Sequence, residues 1–395
     1  MPNNILTPTM VTREALRVLH QKLNFVGNIN RSYDDQYAKK GAKIGDTLNA
    51  RLPNQYVIRR GANLNPQDTQ ETSVPIQMSN QTGVDLNFTS FDLTLRLDDF
   101  SERILEPAMA VLAANIEADA FTMMLDVYNA VNNIGSPAAF LSVLQARKIL
   151  NDNLTPTDNN RSCILSTQDN VDLVNALKGL FQDSTTIAKQ YREGLMGRTS
   201  GFDFYENTIV PAQQTGTAAA ATGYTVNGAN QTGNSLVVQA GATTFAKGDI
   251  IQIAGVYRVH PETKAVTSQL QNFVVTAPYA GGAGAVSISP SIVISGGPQN
   301  VNGAPASGAA ITKIGGPSGV YNPSLAFHKD AFAFVTADLV MPDGVDFCDR
   351  RTIDGISMRI VRQYNINNDQ FPCRIDVAYG FKTVRPQLAC RILSN

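Results

Sequence analysis

The chain has 395 residues, of which 43% are hydrophobic and 16% are charged. This length suffices for roughly two or three domains with sizeable hydrophobic cores. The 32 basic and 33 acidic side chains leave a net charge of -1, which excludes the overall positive field that drives tight nucleic-acid binding.

The cysteine and hydropathy patterns indicate a reduced protein without a membrane partner. Cys163, Cys348, Cys373 and Cys390 are far apart and form no CxxC pair, so we expect buried thiols and no disulfide framework. The first residues lack the basic start and apolar run of a secretory signal. No uncharged apolar stretch reaches the roughly 18 residues that a membrane span needs. We therefore expect a soluble protein made in a cytoplasm.

Residues 1–44 form a predicted N-terminal arm. Thr12 is a suitable cap for a short helix, on which Leu16, Leu19 and Leu23 recur at a spacing of three or four residues. The following residues, 31–52, are polar and basic with few apolar side chains, and this composition predicts an extended, exposed segment.

Residues 45–100 show the alternation of strands. Runs at 56–58, 84–88 and 91–97 alternate apolar with polar residues or are continuously apolar, while residues 63–81 are rich in Asn, Gln, Thr and Ser. We therefore predict a long hairpin with a polar tip that projects from the body of the protein.

The strongest helix pattern begins near Ser101, and apolar residues recur every three or four positions until Gly135. About thirty helical residues would make a rod of roughly 45 Å. A second helix is predicted from Pro137, with Phe140, Leu144 and Leu150 on its buried side. These two helices define a predicted domain over residues 101–160.

The chain then reads as a mixed α/β body that is interrupted by a different kind of module. Residues 161–213 contain a predicted strand at 163–166 and a helix that runs to Leu177. Residues 214–317 contain six charged side chains, where the chain average predicts about seventeen, and short β-branched runs separated by glycines predict a small all-β barrel or sandwich. Mixed patterns resume over residues 318–395. This order predicts a β domain inserted into a host domain.

No residue pattern points to catalysis, to a metal or to a cofactor. His20, His260 and His328 each lack a second His or Cys at ligand spacing. The chain has no GxSxG, HExxH or GxxxxGK[ST] motif, and the glycine-rich run at 281–284 lacks the flanking strand and helix of a phosphate-binding loop. We therefore expect a protein that is not an enzyme.

Three charged doublets are the remaining candidates for function: Arg59 with Arg60, Asp98 with Asp99, and Arg350 with Arg351. Adjacent side chains on a strand point to opposite faces, so the two aspartates cannot flank one bond. Singly, an exposed charge pair contributes only ~0–1 kcal/mol. In a chain that repeats around an assembly, such doublets become candidate complementary contacts between copies.

The order of the parts resembles the major capsid fold of tailed bacteriophages, in the subfamily of short-tailed phage coat proteins that carry an inserted β domain. Three stretches carry the resemblance: residues 198–203 before 209–211, residues 247–256, which look like a strand pair in the insertion, and Tyr379-Gly380 followed by Arg385-Pro386. The resemblance implies an α+β fold with an N-arm, an extended hairpin (E-loop), a peripheral domain with a long spine helix, and an axial domain. The inserted domain looks compact, which puts in doubt a loop that the family uses across two-fold contacts.

The resemblance also implies a function and a set of partners. The chain would self-assemble as pentamers and hexamers into an icosahedral shell in the host bacterial cytoplasm, and it would contact packaged double-stranded DNA only non-specifically. The three doublets would be subunit-interface candidates, and Leu16, Leu19 and Leu23 would contact a scaffolding protein. A portal protein is a further implied partner. A phage decoration, tail or adhesin-type β-rich binding protein is the alternative, because glycine- and threonine-rich β segments are common there.

Overall fold

A computed structural model describes residues 8–31, 47–59, 61–64, 66–68, 71–89, 104–177, 198–239, 241–353, 355–367 and 370–394. Two compact units divide the chain. Unit 1 comprises Met1–Ala50, Ser73–Ala120 and Phe332–Val384, and unit 2 comprises Arg51–Thr72, Phe121–Ala331 and Arg385–Asn395.

The described residues contain these α-helices: α1 (Pro8–Lys22), α2 (Glu106–Phe121), α3 (Phe140–Asp152) and α4 (Thr167–Leu177). The strands of the first half of the chain are β1 (Thr47–Arg51), β2 (Ser73–Gln77), β3 (Asn80–Thr89), β4 (Ala130–Asn132), β5 (Arg161–Leu165), β6 (Arg198–Thr199), β7 (Phe202–Glu206) and β8 (Gln213–Gln214). The later strands are β9 (Ala221–Thr225), β10 (Gly233–Val238), β11 (Ile250–Val259), β12 (Val266–Val275), β13 (Gly284–Ile292), β14 (Ala310–Lys313), β15 (Val320–Tyr321), β16 (Ser324–His328), β17 (Phe332–Ala337), β18 (Phe347–Ile353), β19 (Ile356–Arg362), β20 (Gln370–Thr383) and β21 (Ala389–Leu393).

The centre of unit 1 is the 14-residue strand β20. It pairs antiparallel with β17, β19 and β3, and β19 pairs in turn with β18. The predicted alternation at 84–88 is consistent with β3, on which Val84 and Leu86 are partly buried and Asp85 and Asn87 are exposed. The pairing of β3 with β20 joins residues nearly 300 positions apart, which no local pattern specifies.

Helix α1 packs against β18 and begins at Pro8, four residues before the predicted cap Thr12, which is itself buried. Proline suits the first turn because it has no N–H to leave unpaired there. A buried carboxylate secures the turn that follows α1. Oε1 of Glu117 on α2 accepts hydrogen bonds from the backbone N–H groups of Phe25 (2.6 Å) and Val26 (3.2 Å).

Gly83 on β3 lies opposite Asp376 on β20. A Cβ at Gly83 would lie 2.5 Å from Oδ1 of Asp376 and 2.5 Å from the carbonyl oxygen of Ile375. Asp376 has no room to move away, because its buried carboxylate pairs with Arg359 (2.7 Å) and Arg374 (2.8 Å). The contact between β3 and β20 therefore requires a residue without a side chain.

We expect Gly83→Ala to destabilise unit 1 by about 1–3 kcal/mol, because the added methyl group must displace backbone or a paired carboxylate. Gly27→Ala is the matched control, since a Cβ at Gly27 meets nothing within 4 Å. Urea unfolding followed by circular dichroism measures both variants. Equal unfolding midpoints for the two would contradict this reading of the β3–β20 contact.

The rod helix is shorter than predicted. Helix α2 ends at Phe121 and continues as a 3-10 helix only to Asp126, while residues 101–103 lie outside the described residues. Val127 and Val131, which were predicted to be helical, lie in extended backbone. The reason is a long-range pairing: Val131 in β4 pairs in parallel with Ile392 in β21, and this ladder replaces helical hydrogen bonds.

The stretch Glu106–Asp126 is long and apolar enough to cross a membrane by length and composition alone, in contrast to the sequence expectation. Its apolar window is 56% buried in the protein, as for a helix of a protein core. The buried face includes Leu112 and Ile116, and the exposed face includes Val111 and Asn115.

Unit 2 contains a mixed sheet in the order β4-β21-β16-β5-β7-β6, with α3 and α4 packed on it. The strand predicted at 163–166 and the helix to Leu177 are confirmed by β5 and α4. Helix α3 starts at Phe140 instead of Pro137, and Leu144 is exposed, contrary to the prediction. Leu150 is buried as predicted, and Ser142, Val143 and Ala146 complete the buried face, where the small Ser142 and Ala146 let the helix approach the sheet.

Strands β9 to β14 form a six-stranded sheet in the order β10-β13-β12-β11-β14-β9. The two end strands also meet: Val226 bridges Val238, and Asn227 N–H donates to the carbonyl of Val237 (3.0 Å). The sheet is therefore closed into a barrel, which leaves no open edge. Its interior is filled by apolar side chains such as Leu236, Phe273 and Val286.

Residues 247–256, which look like a strand pair by the resemblance, contribute residues 250–256 to the single strand β11 and lie before it at 247–249. Its pairing with β12 is irregular between Gln252 and Tyr257, and Gly255 has a φ of 81°. A glycine-containing bulge thus bends one long strand where the sequence suggests two.

The chain enters and leaves the barrel side by side. Gln213 and Gln214 of β8 pair antiparallel with Tyr321 and Val320 of β15. Adjacent ends are what a domain insertion requires, because the host fold then needs no rearrangement. The boundaries of the six predicted regions remain predictions.

Candidate assembly surfaces

Leu16, Leu19 and Leu23, the predicted scaffolding contacts, are buried in unit 1. The structure therefore brings these three side chains together in the protein's own core, and a partner reaches them only if α1 leaves its place. The outer face of α1 carries Arg13, which is exposed, and Arg17, whose guanidinium pairs with Glu14 at 2.5 Å.

The polar segment between β1 and β2, residues 52–72, is hereafter the projecting loop. β1 and β2 hydrogen-bond to each other at its base, and Leu52 N–H donates to the carbonyl of Thr72 (2.8 Å). Residues 56–58, predicted as a strand, have no strand partner among the described residues. Tyr56 and Ile58 are instead exposed by 55% and 78%.

Hydrogen bonds within the projecting loop give it a defined shape. The side-chain amide of Gln67 accepts from Val57 N–H (2.9 Å) and donates to the Val57 carbonyl (2.5 Å). The guanidinium of Arg59 donates to the carbonyls of Gly61 and Asn63, both at 2.7 Å. The candidate interface residue Arg59 thus makes hydrogen bonds within its own loop. Its neighbour Arg60 lies outside the described residues, as do Asp98 and Asp99.

The doublet Arg350–Arg351 lies on β18, and its two side chains have different surroundings. Arg350 is partly buried, pairs with the buried carboxylate of Asp338 (3.3 Å) and donates to the carbonyl of Leu339 (3.0 Å). Arg351 is exposed and approaches Asp349 at 3.3 Å. Of the two, Arg351 has the side chain that a neighbouring copy can reach.

A buried charged cluster lies where the barrel joins the mixed sheet of unit 2. Arg391 on β21 is fully buried, and its guanidinium donates to Oε1 of Gln213 (2.6 Å) and to the carbonyl of Gly248 (2.9 Å). Asp249 accepts from the N–H groups of Gly216 (3.0 Å) and Ala246 (2.9 Å).

Burial sets the protonation energetics of this cluster. It raises the pKa of Asp249, against the lowering effect of two backbone hydrogen bonds and of Lys313 and Arg391. It lowers the pKa of Arg391 and of Lys313, while Asp249 opposes both shifts. The ammonium of Lys313 donates to the carbonyls of Gly216 (2.9 Å) and Gly316 (3.0 Å). Arg391 therefore ties the entry to the inserted segment and the residues before β11 to the last strand of the chain, and Lys313 ties the two ends of the inserted segment to each other.

Sequence reasoning missed Arg391, Asp249 and Glu117. A signal exists for Arg391, which is the single charged residue of the otherwise apolar run Ala389–Leu393. Glu117 and Asp249 have charged residues two positions away, Asp119 and Lys247, and carry no such signal. Such a residue must find partners when the element is buried, so its isolation predicts a buried polar contact. The sequence does not name the partner.

His260 and His328, the two histidines whose side chains the structure describes, each have partners within the protein. His328 is buried, and its Nε2 lies 2.9 Å from Asp158. Nδ1 of His260 accepts from the backbone N–H groups of Glu262 and Thr263, both at 3.2 Å. Each of these histidines has a structural role. No group of three or more possible metal-binding side chains occurs within the described part of the chain.

Comparison with known proteins gives a family match. Residues 62–392 match the family model described as P22 coat protein, gene protein 5. No curated protein sequence matches the chain significantly.

Several solved phage structures are similar in fold at low identity. A structure from Mycobacterium phage Che8 is 12% identical, with a TM-score of 0.49, and the match covers 94% of this chain and 90% of that one. The mature capsid of bacteriophage PhiM1 gives 10% identity, a TM-score of 0.41 and coverage of 88% and 82%. The satellite phage P4 procapsid, which includes the size determination (Sid) protein, gives 8% identity, a TM-score of 0.41 and coverage of 97% and 91%.

Proposed function

Since the chain belongs to the P22 coat protein family, we propose that its projecting loop is the element by which each copy grips its neighbour in a closed shell. The chain is a major capsid protein with the α+β tailed-phage capsid fold, a structural component of the virion and not an enzyme. The predictions of family, fold class and function are thus confirmed. The observation that carries the function is the family match over residues 62–392.

The projecting loop supports its proposed role by its exposure. Ile58 and Leu64 are 78% and 84% exposed, and neither takes part in a hydrophobic core of the described residues. Exposed apolar side chains on an ordered loop gain free energy only when another surface covers them. In a shell of identical copies, that surface belongs to an adjacent copy.

The finer partners are part of the same proposal. The copies form pentamers and hexamers, with Arg59, Arg60, Asp98, Asp99, Arg350 and Arg351 as candidate contacts, and Arg351 is favoured because its side chain is exposed. Packaged double-stranded DNA is contacted non-specifically, which suits the net charge of -1. A portal protein completes the shell, and assembly takes place in the host cytoplasm.

For the scaffolding protein, we propose docking on the exposed face of α1, which carries Arg13, Glu14 and Arg17. Leu16, Leu19 and Leu23 then stabilise α1 in its place and contact the partner only in a state in which α1 has moved. We also propose that residues 214–317 are the inserted β domain. The pairing of β8 with β15 at its two ends supports these bounds.

Electron microscopy of the purified chain tests the function. We expect capsomers or closed shells at high protein concentration, since self-association through large surfaces is concentration-dependent. Co-expression with the scaffolding protein of the same phage should make the shells uniform in size. A chain that stays monomeric in both experiments, or that forms trimeric fibres, would contradict the proposal.

A further inference from the structure

Among the described residues, the backbone of the projecting loop comes close to the backbone of the inserted barrel at Gln55 and Gly297. At Gly297, in the segment between β13 and β14, a Cβ would lie 2.4 Å from the carbonyl oxygen of Gln55 and 2.8 Å from its carbonyl carbon. Real Cβ atoms do not come so close to other atoms. The two backbones can therefore approach only because residue 297 is a glycine.

A partly buried lysine holds the barrel side of this contact. The ammonium of Lys264 donates to the carbonyl of Gly297 (2.5 Å) and approaches the carbonyl of Gln299 (3.3 Å). Asn300 fixes the same segment, because its side chain accepts from Val293 N–H (3.0 Å) and donates to the Ser291 carbonyl (2.7 Å). The segment around Gly297 is thus a rigid surface on the barrel.

On the loop side of the contact, burial begins at the residue before Gln55. Asn54, the neighbour of Gln55, is partly buried, and its Oδ1 is removed from solvent, whereas residues 55–59 are exposed. The structure groups Arg51–Thr72 with the barrel in unit 2, although β2 and most of β1 belong to unit 1. The loop therefore rests on the barrel near its base and leaves its apolar tip uncovered.

We propose that the inserted barrel positions the projecting loop for assembly. The backbone of Gln55 packs on Gly297, and this contact site on the barrel, which Lys264 holds in place, is hereafter the seat. This inference rests on the proposed use of the loop between copies. A loop that is already oriented loses less conformational freedom when a neighbour covers it, so the seat speeds assembly without adding a contact between copies. Gly297 and Lys264 are positioning residues and need not touch the neighbour.

A distance measurement in the monomer tests the seat. Spin labels are placed at Leu64→Cys on the loop and at Val266→Cys on β12, two exposed positions of unit 2, in a Cys348→Ser background. We expect one narrow distance distribution in this parent. Gly297→Ala should broaden it, whereas the matched control Gly303→Ala should leave it unchanged, because a Cβ at Gly303 meets nothing within 4 Å. If the label-to-label distance distributions of Gly297→Ala and of the parent coincide, the proposal that the seat orients the loop is wrong.

Assembly kinetics followed by light scattering test its consequence, without labels. We expect Gly297→Ala to lower the initial rate of shell formation by about tenfold, which corresponds to about 1.4 kcal/mol, with the melting temperature of the barrel preserved. Lys264→Met should act in the same direction, and Lys148→Met, which changes an exposed lysine on α3, should not. If Gly297→Ala broadens the distance distribution but leaves the rate of shell formation unchanged, the barrel does not position the loop for assembly. A parent chain that forms no shells would instead refute the proposed function, so the two failures are distinguishable.

Discussion

A chain that carries Ile58→Asp and Leu64→Asp is expected to remain a folded monomer and to form no shells. Both side chains are largely exposed in the monomer, so their replacement should change the free energy of unfolding by no more than about 0.5 kcal/mol. In the proposed shell contact the same positions are covered by a neighbour, and an unpaired carboxylate buried there costs several kcal/mol. The cost recurs at every copy, so assembly is lost and not merely slowed.

Sedimentation velocity and electron microscopy measure this outcome, and thermal unfolding verifies the monomer. Asn63→Asp is the matched control, because it adds a carboxylate to the same exposed loop without removing an apolar contact. It should still form shells. Shells of normal size and yield from the double variant would show that neighbouring copies do not cover the loop.

Arg391→Leu is expected to lower the free energy of unfolding of unit 2 by roughly 3–5 kcal/mol, the usual cost of removing one partner from a buried charged cluster. The substitution leaves Oε1 of Gln213 and the carbonyl of Gly248 without their donor. It also leaves Asp249 buried with less positive charge nearby. Urea unfolding of the monomer measures the loss.

Arg198→Leu serves as the control, because that arginine pairs with Asp203 on the same sheet while partly exposed, and such pairs contribute only ~0–1 kcal/mol. The additional change Asp249→Asn should restore part of the stability of Arg391→Leu, since it removes a buried negative charge that has lost part of the positive charge near it. Equal losses for Arg391→Leu and Arg198→Leu would show that the cluster does not fasten the barrel to the sheet.

The helix of the N-terminal arm could be predicted from local pattern, but the surface that its apolar face meets could not. The spacing of Leu16, Leu19 and Leu23 predicts a one-sided helix, and α1 has that form. The same spacing cannot say whether the apolar face meets a partner or the protein's own sheet, and here it packs inside unit 1. The strand prediction for residues 56–58 was wrong in the opposite sense. Their composition is that of a buried strand, yet the residues are exposed on a loop.

The sequence alone determined the kinds of element and their order, because hydrophobic periodicity and composition are properties of neighbouring residues. The low charge content of residues 214–317, for example, predicts an inserted β module without reference to any tertiary contact. Only the tertiary structure decided where the rod helix ends, why residue 83 must be a glycine, and which carboxylates and guanidinium groups meet in the interior. Those outcomes depend on partners such as Ile392 for Val131 or Asp376 for Gly83, hundreds of residues away in the chain. Folding brings such residues together, and the local spacing of residues does not predict which distant residues will be in contact.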